Sequence, residues 1–157
     1  MPIRAAKYDD IPRIMDLLNQ VLQVHESLRP DVFVHGMPKY SSQEVEAILD
    51  DPKTPVFVHT DEKDNVNAYA FCIILSPSNR PHLRKTKTLF IDDLCVDKAC
   101  RGKKIGTALY AYVRDYAKKE GFDRITLNVW NANTEAFRFY SENGLKPLET
   151  VMEDRLD

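Results

Sequence analysis

The stretch from residue 88 to residue 130 constrains the fold more than any other part of the chain, because its periodicity changes twice. Thr88 to Val96 is a mostly apolar strand, and apolar residues at helical spacing follow from Ile105 to Tyr116. Gly121 is a typical helix end, and residues 125–129 alternate again as a strand. A strand, a helix and a second strand in this order predict a parallel pair joined by a crossover.

Shorter patterns on either side of this unit complete the predicted order of elements. They are a first strand at 1–6, a helix from residue 11 that ends before Pro30, a helix opened by Ser41 or Ser42 and stopped by Pro52, strands at 56–58 and 66–75, a helix from about 133 to 143 and a closing strand at 146–155. The resulting order is β-α-α-β-β-β-α-β-α-β. It predicts an α/β chain (α+β mixed sheet) with helices on both faces of one central sheet.

Length and charge limit the classes of function. With 157 residues, the chain fits a single domain spanning 1–157. A net charge of -2 provides no basic field that could hold a nucleic acid, and no apolar run is long enough for a membrane span. The N-terminal residues lack the apolar segment of a secretion signal. We therefore expect neither a nucleic acid nor a membrane as a partner.

Cysteine and histidine residues follow no recognisable pattern. Cys72, Cys95 and Cys100 form no C-x-x-C pair, and an odd number of cysteines argues against a disulfide framework. Reduced thiols in a cytoplasmic protein are the simplest interpretation. The four histidines show no metal-ligand spacing, so we expect no metal site.

The segment between the strand and the helix of the 88–130 unit carries the chemistry. Residues 101–107, Arg-Gly-Lys-Lys-Ile-Gly-Thr, form a basic turn that leads into a helix. The first N–H groups of a helix have no internal partner and the helix dipole adds positive potential, so a diphosphate can bind there if small residues let it approach. A solvated basic turn explains the same residues. Neither a P-loop nor the G-x-G-x-x-G fingerprint is present.

This turn resembles the acetyl-CoA loop of the GNAT N-acetyltransferase family, whose pattern is Q/R-x-x-G-x-G/A. Arg101 and Gly106 match the first and last positions, whereas Lys104 replaces the middle glycine. A lysine is acceptable there only if its φ stays negative and its side chain points outward, and the effect of this replacement stays open.

A second segment downstream resembles another motif of the same family, N-x-x-A-x-x-F-Y-x-x-x-G-F. The matching residues are Asn133, Ala136, Phe139, Tyr140 and Gly144, and Leu145 stands where phenylalanine is usual. Both motifs lie at the separation that the family shows, each on the expected element. The resemblance extends over residues 88–147.

The resemblance implies a GNAT-like acyl-CoA N-acyltransferase fold and acetyl-CoA as co-substrate, without a metal. Parallel strands near 89–96 and 124–130 would splay apart, and the pantetheine arm would lie in the gap. Asn133 can also serve as a helix N-cap, and both roles can hold. The residues implied in binding acetyl-CoA are Leu94, Cys95, Val96, Arg101, Gly102, Lys103, Lys104, Ile105, Gly106, Thr107, Asn133 and Tyr140.

Two residues are candidates for catalysis by the same resemblance. Tyr140 would act as the general acid that protonates the departing CoA thiolate, whereas a tyrosine packed in the core beside Phe139 explains the same position. Asp92 would act as general base or orient the amine, and a structural carboxylate hydrogen-bonded to a loop is an equal alternative. Because neighbouring strand residues point to opposite faces, we expect Asp92 and Asp93 not to share one site.

In this fold the first two helices and their connection line the acceptor pocket. The candidate acceptor-binding residues are His25, Glu26, Phe33 and Tyr40, with Arg29 and Asp31 between them. Glu26, Asp31 and Asp92 favour a cationic amine, whereas Arg29 and His25 oppose it. A solvated loop explains these residues as well and is the preferred interpretation.

The function predicted from these features is transfer of an acetyl group from acetyl-CoA to a primary amine by direct attack. A non-catalytic acyl-CoA-binding or sensing module is the alternative, although pure binding would not require Tyr140 and Asp92. A nucleotide-phosphate binder is a third class, which lacks a recognisable metal carboxylate pair. The acceptor, a small-molecule or protein amine, stays open, as do the identity of the base and the oligomeric state; a homodimer is compatible with the family.

Overall fold

The computed structural model describes residues 2–156 of the chain. Within them the strands are β1 (Ile3–Ala5), β2 (Val56–Thr60), β3 (Val66–Leu75), β4 (Thr88–Val96) and β5 (Arg124–Leu127). The helices are α1 (Ile11–Leu28), α2 (Ser42–Asp50), α3 (Ile105–Lys119) and α4 (Thr134–Glu142), with short 3-10 turns at Tyr8–Asp10 and Lys98–Cys100. Met1, where the first predicted strand begins, lies outside the described residues.

All five of these strands form one sheet in the order β1-β2-β3-β4-β5. Neighbouring strands pair antiparallel up to β4, and β4 and β5 pair parallel. The sheet is therefore mixed, as the hairpin at 56–75 and the strand–helix–strand unit at 88–130 predict.

Helices cover both faces of the sheet. Ile14, Leu17 and Leu18 of α1 are buried together with Val45 of α2 in one core cluster. Leu109 and Val113 of α3 belong to a second cluster on the opposite face. Each helix carries an apolar stripe on one side, and burying those stripes on the two faces holds the layers together.

Local signals set the ends of α1 and α2. Pro12 stands in the first turn of α1, where its missing N–H is no loss, and Pro30 follows the residue that caps the helix. Ser41 caps α2: its Oγ accepts from the Glu44 amide at 3.1 Å, and Glu44 accepts from the Ser41 amide at 3.1 Å.

The prediction of a closing strand at 146–155 is wrong. Residues 145–156 have no regular secondary structure, so the observed order ends with α4. The apolar residues Val151 and Met152 are adjacent rather than alternating, and their exposed fractions are 91% and 85%. A strand forms only beside a partner, and no described strand lies along this segment.

Candidate functional site

A gap opens in the sheet where β4 outlasts β5. Parallel pairing stops at Ile91 and Leu127, whereas β4 continues to Val96. The edge of residues 92–96 that would face β5 therefore has none of the described strands beside it. The splayed strands that the resemblance implies are present, and they leave unpaired backbone groups facing the gap.

The gap is part of a long open cleft of about 2080 Å³. The exposed edge of β4 and the turn into α3 both line it. Most of the residues expected to bind acetyl-CoA line this cleft: Leu94, Cys95, Val96, Arg101, Gly102, Lys104, Ile105, Gly106, Thr107, Asn133 and Tyr140. Lys103 is exposed and does not line it.

Lys104 meets one of the two conditions for a lysine at this position. Its φ is +60° and its ψ is 21°, in the left-handed region, so the condition of a negative φ is not met. The side chain is exposed, which satisfies the other condition. The turn that starts α3 at Ile105 requires this conformation. A glycine would adopt it without a steric cost, whereas a lysine adopts it with strain.

Gly106 brings the first turn of α3 against α4 and β4. A Cβ added at this position would lie 3.2 Å from the Phe139 ring and 3.3 Å from Cγ2 of Val96. These contacts are tighter than most Cβ contacts in proteins, so a larger residue here would push Phe139 or Val96 away by a few tenths of an ångström. Glycine therefore favours the close approach of α3 to α4 and β4.

Asn133 acts as the N-cap of α4. Its Oδ1 accepts from the Ala136 amide at 3.1 Å, while the residue also lines the cleft. The capping role considered for Asn133 is therefore present, and its amide nitrogen can still reach a ligand in the cleft.

Tyr140 projects from α4 into the same cleft and is half-buried. Burial raises the pKa of the Tyr140 phenol, and the negative charge of Asp93 adds to this effect. The phenol thus stays protonated at neutral pH and can donate a hydrogen bond or a proton into the cleft. Tyr110 is a buried neighbour on α3 that lines the cleft as well.

Asp92 and Asp93 lie on the same face of the sheet, contrary to the expectation. Phe71 of β3 pairs with Asp93 and Cys72 pairs with Ile91, so Asp92 is an extra residue in a β-bulge. The bulge cancels the usual alternation. Tyr40 bonds Asp92 and stacks on Phe71, and Tyr69 bonds Asp93 and packs against the same ring.

The carboxylate of Asp92 is held by two neighbours from the loop between α1 and α2. Lys39 Nζ lies 3.1 Å from Oδ1 of Asp92, and the Tyr40 hydroxyl donates to Oδ2. Lys39 also donates to the Asp92 carbonyl at 3.2 Å. This set fixes the position of Asp92 and compensates its charge.

Asp93 has a different environment, which favours its protonated form. The Tyr69 hydroxyl donates to Oδ2 of Asp93 at 2.8 Å. Burial nevertheless raises the pKa of Asp93 to about 6, and the nearby charge of Asp92 acts in the same direction. A carboxylate with a pKa close to neutrality is suited to accept a proton.

On the acceptor side, an aromatic cluster joins two distant parts of the chain. The His25 and Phe33 rings stack with centroids 4.7 Å apart, and Phe33 meets the Trp130 ring edge-on at 5.7 Å. Arg29 lies over the Trp130 ring at 5.2 Å. All four residues line the cleft. Sequence reasoning did not assign Trp130 to the acceptor side, because it lies in the loop after β5 and belongs to neither motif.

Glu26 and Tyr40 do not line the cleft. Glu26 accepts from the Gly36 amide at 2.6 Å and contacts His35 Nδ1 at 3.1 Å, so it holds the loop after α1. Tyr40 acts on the cleft only through Asp92. Burial lowers the pKa of His25, and Lys39 adds to this, which favours the neutral imidazole.

The cysteines show no sign of nucleophilic activation. Cys95 is buried beneath α1, and its thiol donates weakly to the Leu17 carbonyl at 3.7 Å. Burial raises the pKa of Cys95 to about 12. A thiol in this state stays protonated at neutral pH, which is typical of a packing residue.

Metal-binding clusters and membrane-spanning helices are both absent from the described part of the chain. No cluster of three or more histidine, cysteine, aspartate or glutamate residues there has the spacing to hold a metal ion. No helix among residues 2–156 combines the length and apolar character needed to cross a bilayer.

The fold and the sequence are similar to those of known proteins. A mutant of the BH1408 protein from Bacillus halodurans is 31% identical, with a TM-score of 0.95 and 99% of each chain covered. The aminoglycoside N-acetyltransferase AAC(6')-Iy in complex with CoA is 15% identical, with a TM-score of 0.73 and 99% of each chain covered. An aminoglycoside acetyltransferase from an uncultured soil metagenomic sample, in complex with sisomicin, is 17% identical, with a TM-score of 0.73, 99% of this chain and 95% of that chain covered.

Among curated proteins, none matches the chain. The family model that describes the acetyltransferase (GNAT) family matches residues 18–145, which include both motifs up to Leu145, the bulged strand and the turn into α3. The mixed sheet with its splayed strands has the GNAT acyltransferase fold, and the chain belongs to the acetyltransferase (GNAT) family.

Proposed function

We propose that this chain, as one domain spanning 1–157, is an N-acetyltransferase that moves the acetyl group of acetyl-CoA onto a primary amine by direct attack. The observation that carries the proposal is the gap beside residues 92–96, which leads from the turn into α3 to two carboxylates and a phenol. Family membership supports acetyl transfer as the general chemistry.

The residues of the cleft fit acetyl-CoA, which supplies a reactive thioester when bound. The amides at the start of α3, with the charge of Arg101, are suited to a diphosphate. Gly106 packs closely against Phe139 and Val96, which sets the first turn of α3 beside the exposed end of β4. The unpaired edge of residues 92–96 offers backbone groups to an extended arm with amides of its own.

In the proposed reaction Asp93 and Asp92 have separate roles. Asp93, with its pKa raised to about 6, accepts the proton of the attacking amine. Asp92, fixed by Lys39 and Tyr40, orients the amine. Tyr140 remains protonated and donates its proton to the sulfur of the leaving group. The backbone amide near Val96 polarises the carbonyl of the acetyl group.

The acceptor enters from the side of the aromatic cluster formed by His25, Phe33 and Trp130. Flat rings beside two carboxylates suit an amine carried on an apolar or ring-shaped body. Two structural neighbours are aminoglycoside acetyltransferases, so aminoglycosides belong in the first set of amines to test. We also propose a cytoplasmic location, since the three cysteines are free thiols.

A thiol-release assay tests the proposal. The purified chain is incubated with acetyl-CoA and one of several amines: aminoglycosides, polyamines, amino acids, or peptides with a free N-terminus or a lysine. We expect amine-dependent release of free CoA with at least one class. If CoA binds and no amine in the panel causes release, the chain is a non-catalytic acyl-CoA-binding module and the transferase proposal fails.

A further inference from the structure

Lys39 places a primary amine of the chain itself beside the carboxylates of the cleft. Its Nζ lies 3.1 Å from Oδ1 of Asp92 and donates to the Asp92 carbonyl at 3.2 Å. Asp92 is the first residue of β4 beyond the parallel pairing with β5, which stops at Ile91. The amine of Lys39 therefore lies at the point where the gap between β4 and β5 begins.

The side chain of Lys39 combines this contact with freedom to move. Its exposed fraction is 45%, whereas that of the Asp92 side chain is 15%, and Lys39 lines the cleft. A lysine carries its amine on a flexible stem, so the amine can leave the carboxylate and return without a change in the backbone. The amine can therefore reach a group held in the gap beside residues 92–96.

The place of this amine matches the one that the proposed function gives to the acceptor. In that reaction Asp92 orients an amine and Asp93 accepts its proton. In the structure, the amine beside Asp92 belongs to Lys39. The charge of Lys39 also adds to the effect of burial in lowering the pKa of His25, so its field extends to the aromatic cluster on the acceptor side.

We propose, on the basis of that proposed function, that Lys39 is itself an acceptor and that the chain transfers one acetyl group from acetyl-CoA to its own Lys39. The ammonium first loses one proton to solvent. The lone pair of Nζ then bonds to the acetyl carbon as the C–S bond of the thioester breaks. Asp93 takes the second proton of Nζ, and Tyr140 donates a proton to the departing sulfur and recovers one from Asp93 through solvent. The products are a neutral amide at Lys39, free CoA and one proton.

Acetylation changes the charges around Asp92. The ammonium of Lys39 becomes a neutral amide, so the ion pair is lost and the Tyr40 hydroxyl remains as the partner of Asp92. A free acceptor amine competes with Lys39 for the same carboxylate. An added amine that the chain acetylates well should therefore slow the modification of Lys39.

Intact-protein mass spectrometry and peptide mapping test the modification on the full chain. Incubated with acetyl-CoA and no added amine, the parent should gain one acetyl group, about 42 Da, at Lys39. Lys146 is an exposed lysine that lines the same cleft. We expect Lys39 to react at least about tenfold faster than Lys146, because proximity raises the effective concentration of its amine. Lys39→Arg should lose the gain in mass, and Lys146→Arg, the matched control, should keep it.

Two dependences separate this route from chemical acetylation in solution. The rate constant should not change with protein concentration, because both reacting groups belong to one complex, and excess free CoA should suppress the reaction by occupying the cleft. Equal acetylation of Lys39 and Lys146, or no effect of free CoA, would mean ordinary chemical modification and would overturn the proposal. A rate constant that rises in proportion to protein concentration would mean that one copy modifies another, and would overturn it as well.

Two further results distinguish a failure of this modification from a failure of the proposed function. A chain that releases CoA with an added amine and leaves Lys39 unmodified would refute self-acetylation and keep the transferase. A chain that releases CoA with no amine and leaves Lys39 unmodified would refute both.

Discussion

Asp93 is the residue whose environment departs most from that of an ordinary surface carboxylate. Burial raises its pKa to about 6 from 3.8, so the folded protein binds this proton more tightly than the unfolded chain does. The contribution of Asp93 to stability is therefore complete below its unfolded pKa and is lost as the pH rises through about 6. A carboxylate with a raised pKa in a cleft is typical of a general acid or base.

The variant Asp93→Asn is uncharged at every pH, so it separates the effect of Asp93 on stability from its effect on the reaction. Above the raised pKa it should be more stable than the parent by on the order of 2 kcal/mol, and this gain should vanish in acid. Its acetyl transfer should lose the rise in rate that the parent shows near the pKa of Asp93. Denaturant unfolding and pH–rate profiles measure both.

Asp92→Asn is the matched control for this experiment. It loses the ion pair with Lys39 and should gain no stability at any pH. A parent whose rate does not change across the range near pH 6 would contradict the base role of Asp93.

Tyr140→Phe removes the hydroxyl that is proposed to donate a proton to the sulfur of the leaving group. Its kcat should fall by about 100-fold, because general acid catalysis contributes at least that much, while its KM for acetyl-CoA changes little. The control is Tyr110→Phe, which removes the neighbouring hydroxyl of the cleft and should keep kcat near that of the parent. Equal kcat values for Tyr140→Phe and the parent would exclude Tyr140 from the reaction.

At position 104, the glycine of the family's motif should make the folded protein more stable than lysine does. Because its φ is +60°, Lys104→Gly should stabilise the protein by about 1 kcal/mol. Lys104→Ala loses the same charge and keeps the strained conformation, so it should give no gain. Thermal unfolding of the three proteins checks this, and a gain from alanine as large as that from glycine would show that the charge, not the backbone, is responsible.

Residues that depart from local rules were the ones that sequence reasoning placed wrongly. The rule that strand residues alternate assumes a regular ladder, and the bulge at Asp92 breaks the ladder without leaving a mark in the sequence. Lys104 adopts a conformation that its own propensity opposes, because the turn before α3 requires it. Trp130 and Lys39 come to the cleft from loops, which carry no periodic signal.

Among the elements, those with long periodic patterns were predicted well. The strand at 88–96 has the predicted bounds, and α3 starts where the apolar spacing starts. The closing strand failed because pairing, not local pattern, decides whether an extended segment counts as a strand. The splay of β4 and β5 followed from the resemblance rather than from periodicity.

A network of polar side chains ties α1 to the end of β4, directly before the turn into α3. Asp97 is buried and accepts from Arg13, from Gln20 Nε2 at 3.2 Å and from the Ala99 amide at 3.1 Å. Gln20 also accepts from the Lys98 amide at 3.1 Å. The network fixes the turn that is proposed to bind the diphosphate.

Asp97→Ala leaves the half-buried side chains of Arg13 and Gln20 without their partner. We expect a loss of about 2 kcal/mol in the free energy of unfolding, together with a higher KM for acetyl-CoA. Asp31→Ala removes an exposed carboxylate paired with Arg29 and should be clearly less destabilising, because exposed ion pairs contribute little to stability. If Asp97→Ala were no more destabilising than Asp31→Ala in denaturant titrations, the network would not hold α1 to β4.

At the scale of the whole molecule, the proposed sites for the acetyl donor and for the acceptor lie on different sides of the sheet. The basic turn at the start of α3 lies at one end of the cleft, and the aromatic cluster joins it from the face that α1 and α2 cover. Asp92, Asp93 and Tyr140 line the cleft between them. A donor and an acceptor that enter from different sides can meet there in a single encounter complex, which is what direct transfer needs.

Calorimetric titration of CoA and acetyl-CoA into the folded protein tests the central claim most directly. The account predicts saturable binding of one molecule per chain, because the amides at the start of α3 and the unpaired edge of β4 form one continuous site. A well-folded protein that takes up neither CoA nor any acyl-CoA would contradict it.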